Sequence, residues 1–391
     1  VTPLRQSPTD PAFVQDPYPF YDRARAAGDL FSWEDYGLPM AVSHRAVSAL
    51  LKDRRLGREP VDPPAIPDNL AAFYAVEAHS MLELEPPRHT RLRGLVLRAF
   101  TNRRIRALAP EIEALCHSLI DAFPDGEADL LPTYCQRVPV IVIARLLGVP
   151  EAMADQLLAW SNAMVGMYQA RRTRAMEDAA ARAAANFAAF MRGYVEERRS
   201  RPADDLITHL IAAEAEGEKL TTNELITTCI LLLNAGHEAT VHTMGNGVKA
   251  LLETGTPPDA LDPDRIEGTV EEILRFDPPL HLFTRHVYEE VELFGHRFRR
   301  GDQLGCLLAA ANRDPAVWPD PARFDARRPV QTNLAFGAGL HFCVGAPLAR
   351  LELQIALPVL FRRLPHLALA GAPRYANLYH FHGLDSLKVT R

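Results

Sequence analysis

The stretch from Thr221 to Glu253 constrains this chain more than any other. Leu225, Ile226, Ile230, Leu231, Leu232 and Leu233 make its first half apolar nearly all round, as expected of a helix through the centre of a large protein. Thr221 and Glu224 have the spacing of a capping box, which marks the start. Gly255 and two prolines mark the end. At 1.5 Å per residue such a helix spans about 50 Å, the width of a whole domain. Yet LLLNAGHEAT, residues 231–240, runs from leucines straight into Asn234, Ala235, Gly236, His237 and Glu238. A glycine inside a helix costs about 1 kcal/mol relative to alanine, and a buried polar group costs free energy unless it is paired. Something has to sit against this segment.

The remaining pattern predicts a mainly α protein with small β-sheets. Helices are expected over 16–27, 45–52, 88–100, 103–122, 132–147, 151–168, 175–200 and 204–214. Strand-like pieces fall at 40–42, 285–298, 303–308 and 385–390, and proline-rich coil at 60–69 and 314–330. No linker or shift of composition divides the 391 residues, so one domain over 1–391 is expected. A net charge of -6 argues against a nucleic-acid partner. Five scattered cysteines without a CxxC pair point to a reducing compartment. No apolar run approaches the roughly 20 residues that cross a membrane, and VTPLRQSPTD has no signal-peptide core. A soluble cytoplasmic protein is the expectation.

FGAGLHFCVGAPLAR, residues 336–350, carries the most chemistry. Gly337, Gly339 and Gly345 surround Cys343, and Pro347 stands at the first turn of a helix, where its missing N–H costs nothing. Glycines let the backbone turn tightly and approach a flat object. A cysteine just before a helix start lies near N–H groups that favour its thiolate. Such a thiolate suits one axial bond to a haem iron. Taken alone, Cys343 reads more readily as a buried structural thiol.

With its companions, the sequence resembles the cytochrome P-450 family of haem-thiolate monooxygenases, soluble bacterial type. Phe336, Gly339, Cys343 and Gly345 match the family's cysteine pattern, and Glu272 and Arg275 in EEILR match its Glu-x-x-Arg pair. ANRDP at 311–315, WPDPARFD at 318–325 and FHGLDSL at 381–387 resemble further landmarks. The resemblance spans essentially the whole chain. It implies the cytochrome P-450 fold, with haem b between the long distal helix and the helix after the cysteine loop, and Cys343 as iron ligand. His89, Arg93, Arg285 and His341 correspond to the residues that hold the haem propionates. Two carboxylates need several cationic or N–H donors. Glu272 and Arg275 take a structural role, holding the coil 314–330.

The same resemblance gives the distal helix its purpose. Ala235 and Gly236 leave room for dioxygen, and Glu238 matches the acid that relays protons; Thr240 follows it. Ala239 departs from the pattern, which usually has threonine there to help deliver the second proton. Substrate-facing positions by resemblance include Phe73, Leu82, Met164, Asn234, Ala235, Leu280, Phe283 and Phe381, a lining for a small or medium apolar molecule. No flavin or NAD motif is seen, so electrons are expected from a separate ferredoxin and its NAD(P)H-dependent reductase, serving a monomer. Arg103, Arg104, Arg106, Arg350, Arg362 and Arg363 could form the docking patch, or a merely solvated surface. HEATVH does not fit a zinc hydrolase: its histidines are five apart and diverge by roughly 140° around a helix. Two alternatives stay open, a haem-based gas or ligand sensor and a peroxide-using oxidase.

Overall fold

The computed structural model describes residues 1–215 and 217–391. Helices dominate, as the periodicity predicts. Thr222–Glu253 is one unbroken central helix. Thr221 Oγ1 accepts the Glu224 N–H at 3.3 Å, and Glu224 Oε2 accepts the Thr221 N–H at 2.9 Å, so both orphan donors at the helix start are satisfied. Arg91 pairs with the same Glu224 and ties the helix Arg88–Ala99 to this end. Around the central helix pack Arg137–Leu147, Arg174–Ser200, Ile266–Phe276 and Ala346–Arg363, and their apolar faces make the largest core.

A six-stranded sheet runs in the order Thr2–Leu4, Leu30–Trp33, Leu38–Ala41, Gln303–Leu307, Leu282–Val287, Leu56–Gly57. Two smaller apolar clusters flank it. The two N-terminal strands, and the helix Ala71–Glu77, were not foreseen. Thr2–Leu4 has three residues and pairs with a strand far along the chain, so no local period announces it. The stretch 103–122 divides into Asn102–Ala107 and Ala109–Asp121, because Pro110 has no N–H with which to continue the preceding turn. The piece 285–298 is a strand to Val287 followed by a hairpin, Val291–Leu293 with His296–Phe298. Phe294 (φ 52°) and Gly295 (φ 73°) form its turn, the left-handed pair that a two-residue hairpin connection requires. No helix among the described residues is long and apolar enough to cross a membrane, and all five cysteines are free thiols.

Glu272 and Arg275 are both buried and joined by two bonds, Nε–Oε2 at 2.7 Å and Nη2–Oε1 at 2.8 Å. Arg275 also donates to the carbonyls of Asn312, Pro321 and Arg323 at 2.8–3.2 Å. Glu272 accepts the Asp325 N–H at 2.9 Å. A helix-spaced pair thus pins the coil that follows Asp314 to the helix Ile266–Phe276. From this coil the chain leads into the cysteine loop, where Asn312 Oδ1 accepts the Leu334 N–H at 2.7 Å.

Candidate functional site

The cysteine loop turns on glycines. Gly337 and Gly339 have φ of 71° and 72°, and a Cβ on Gly339 would lie 2.5 Å from the Leu51 carbonyl oxygen. The loop closes through Cys343 N–H to Phe336 O at 3.0 Å. Arg93 donates to Phe342 O at 2.6 Å, so the helix Arg88–Ala99 is fastened beside the thiol. Pro347 lies in the first turn of Ala346–Arg363, as predicted.

Cys343 opens into a cavity of about 500 Å³ whose wall also includes Asn234, Ala235, Gly236, Glu238, Ala239, Thr240 and Thr243 of the central helix. Leu82, Leu280, Phe283 and Phe381 complete an apolar wall, and His89, Arg93 and His341 lie on it too. Most residues singled out from the sequence therefore meet around one space.

Three do not. Phe73 is buried against Tyr74 in the core, and Met164 is buried behind Asn234, whose Nδ2 lies 3.7 Å from its sulfur. Arg285 is also off the wall: it is buried, and its Nη1 donates to Thr284 O at 2.8 Å. Its neighbour Arg58, unmarked by any motif, lines the cavity instead. Gly236 presents backbone to the cavity, but the space a Cβ would fill lies 3.2 Å from Ile143. The missing side chain thus serves close packing on the helix Arg137–Leu147.

Burial acts on two of these groups. Burial pushes the Cys343 thiol up, although the N–H groups of Gly345 and Ala346 and the charges of Arg93 and Arg350 oppose the shift. Desolvation here outweighs the helix-start donors. Burial, then His341 and Arg93, push His89 down to about 4. Its Nδ1 is buried without a partner, and its ring lies 4.4 Å from that of His341. His341 pairs through Nε2 alone with Glu85 Oε1, at 2.8 Å.

Glu238 sits between the two histidines of HEATVH, with Oε1 3.2 Å from His242 Nε2 and Oε2 3.5 Å from His237 Nε2. Burial opposes its charge, but the two histidines win and hold the carboxyl well below its ordinary range. No hydroxyl stands at Ala239. The nearest ones lean back on the helix: Thr243 Oγ1 to Ala239 O at 2.7 Å and Thr240 Oγ1 to Gly236 O at 3.4 Å.

A lone cysteine on a glycine loop, sharing an apolar cavity with a long helix, defines a haem-thiolate protein. The unpartnered His89 Nδ1, the Arg93 guanidinium and His341 beside it are the donor set that two haem carboxylates would use, so the wall fits that group. The family description "Cytochrome P450" matches residues 266–371. Cytochrome P450 monooxygenase PikC of Streptomyces venezuelae is 38% identical over 92% of this chain and 87% of its own length. The vitamin D(3) 25-hydroxylase of Pseudonocardia autotrophica is 38% identical over 92% of this chain and 89% of its own. The solved structure of P450BioI with an acyl carrier protein bearing hexadec-9Z-enoic acid superposes with a TM-score of 0.91 at 33% identity, covering 97% and 99% of the two chains. The chain belongs to the cytochrome P450 family. Its cofactor is haem b, and it is an oxidoreductase of the monooxygenase type.

Proposed function

We propose that the whole chain, 1–391, works as one monooxygenase domain that hydroxylates a small or medium, largely apolar organic molecule. Electrons would come from a separate ferredoxin and its NAD(P)H-dependent reductase. The observation that carries this is the wall of leucine, phenylalanine and methionine side chains that Cys343 shares with the central helix. The relatives named above include a vitamin D(3) 25-hydroxylase and a structure with a fatty acyl group, which supports a largely apolar substrate. Relatives named as a monooxygenase and a hydroxylase speak against the sensor reading.

When bound, haem supplies the oxygen chemistry; the chain supplies position and protons. Arg93, His89 and His341 would hold the carboxylates, and the apolar wall keeps bulk water out. Glu238 is the one carboxylate of the central helix on the cavity wall, and its tie to His242 gives protons a path into it. With no hydroxyl at Ala239, ordered water or a polar group on the substrate has to complete the path. A peroxide-using reaction, which needs fewer delivered protons, is the second reading that Ala239 favours.

Product and released hydrogen peroxide per NADH, measured with several ligands for wild type and Ala239→Thr, tests this. Wild type should couple well with ligands carrying a polar group near the oxidised carbon and poorly with plain hydrocarbons. The added hydroxyl should improve the latter. Equal, tight coupling of wild type with every ligand would refute substrate assistance. Turnover with peroxide alone, at rates the ferredoxin system does not exceed, would favour the second reading. For docking, Arg104, Arg350 and Arg363 are already paired with Asp204, Glu271 and Asp121. Arg103, Arg106 and Arg362 are exposed and have no acidic partner among the described residues. They are the better candidates for a salt-sensitive ferredoxin contact.

A further inference from the structure

One part of the cavity wall does not suit a purely apolar guest. Glu77, at the end of the helix Ala71–Glu77, and Tyr168, in the short turn Gly166–Tyr168, both line it. Tyr168 donates its hydroxyl to Glu77 Oε2 at 2.8 Å. Arg58 lines the cavity beside them, but its Nη2 is taken by Glu83 Oε1 at 2.5 Å. Its backbone N–H goes to Glu85 at 2.7 Å, and its guanidinium lies 5.6 Å from the Phe283 ring centre. Two carboxyl groups, Glu77 and Glu83, therefore share one guanidinium, and Glu83 holds it. Glu77 is left with a neutral phenol.

An unpaired carboxylate enclosed by protein is costly, so such a group keeps its proton until a cation arrives. Burial, and then the repulsion of Glu83, raise Glu77 to about 7, against the smaller opposing pulls of Tyr168 and Arg58. These are the charged and titratable groups that face it: Glu83 from the loop after the helix Ala71–Glu77, Arg58 after the strand Leu56–Gly57, and Tyr168 from the turn Gly166–Tyr168. An anionic guest would find the Arg58 charge already matched by Glu83, although its Nε has no partner. A cationic guest would find a carboxyl in need of a counterion.

We propose that Glu77, positioned by Tyr168, binds the protonated amino group of an otherwise apolar substrate. This rests on the reading of the cavity as the substrate pocket and adds the substrate class: a lipophilic amine. Binding exchanges the Glu77 proton for the ligand's ammonium, so it tightens as pH rises towards and past neutrality. A neutral ligand of the same shape shows no such dependence.

The test uses the haem-loaded protein and three probes of matched chain length: N,N-dimethyldecylamine, decanol and decanoate. Affinities are read from the haem absorption shift and independently by calorimetry. At about pH 8 the amine should bind at least about tenfold tighter than decanol. Its affinity should fall by up to about tenfold per pH unit below 7, as expected when binding releases one proton. Glu77→Gln should abolish the amine's advantage while leaving decanol within about twofold. Tyr168→Phe should shrink the advantage and move its pH midpoint upward. An amine no tighter than decanol, an advantage that survives Glu77→Gln, or tightest binding of decanoate would overturn the proposal. If the preference holds but no probe is ever oxidised with a ferredoxin system, the monooxygenase reading fails and this site stands.

Discussion

Replacing Arg275 by methionine keeps most of its volume and removes its charge and five donated bonds. Two of those go to Glu272 and three to the carbonyls of Asn312, Pro321 and Arg323. Both side chains of the pair are about 2% exposed, so water cannot replace the lost partner. Breaking a buried pair from one side costs about 3–5 kcal/mol, chiefly because the other charge stays buried. The orphaned carbonyls add to that, each by up to about 1–3 kcal/mol where water cannot reach. What remains for Glu272 is the Asp325 N–H and a longer contact to Arg328 at 3.3 Å. The total is a large part of the roughly 5–15 kcal/mol that holds a domain folded. Denaturant unfolding of the haem-loaded protein, followed by far-UV circular dichroism, should show a loss of at least about 3 kcal/mol. Adding Glu272→Gln to Arg275→Met removes the stranded charge and should recover a part of that loss. A single variant within about 1 kcal/mol of wild type, or a double variant no better than the single, would refute the reasoning.

Cys343→His should abolish the red-shifted band of the reduced carbon monoxide complex that marks thiolate ligation; persistence of the band would mean another ligand. Arg93→Met should weaken haem retention by about 1.5–3 kcal/mol, the worth of a charge-assisted bond, seen as roughly ten- to hundredfold faster haem transfer to an acceptor protein. The buried Asp277 carboxyl is held down to about 2: burial opposes its charge, but His382, 2.8 Å away, and Tyr375 outweigh it. A lowered carboxyl stabilises the fold above its unfolded value near 4, and that contribution disappears as pH falls towards 2. Wild type should therefore exceed Asp277→Asn in stability at neutral pH, with the difference closing as pH drops from about 4 to 2 in unfolding curves.

The part of this molecule that was legible in the sequence is the part written within a few helical turns or one loop. Thr221 and Glu224 are three apart, so the capping box follows from helix geometry wherever the helix is placed. Glu272 and Arg275 share a helical face for the same reason, and Cys343 is framed by glycines and a proline that specify its own turn. The tertiary structure alone decided which side chains reach the cavity. Phe73 and Met164 have the right chemistry but are packed in the core, and Arg58 lines the cavity where Arg285 does not. The direction of the shift at Cys343 was decided the same way, since desolvation depends on everything packed around a group and no local spacing encodes it. Glu77, Glu83, Arg58 and Tyr168 come from a helix end, a loop, a strand end and a turn scattered between residues 58 and 168. No period links them, because irregular segments take their side-chain directions from the surfaces they pack on rather than from their own repeat.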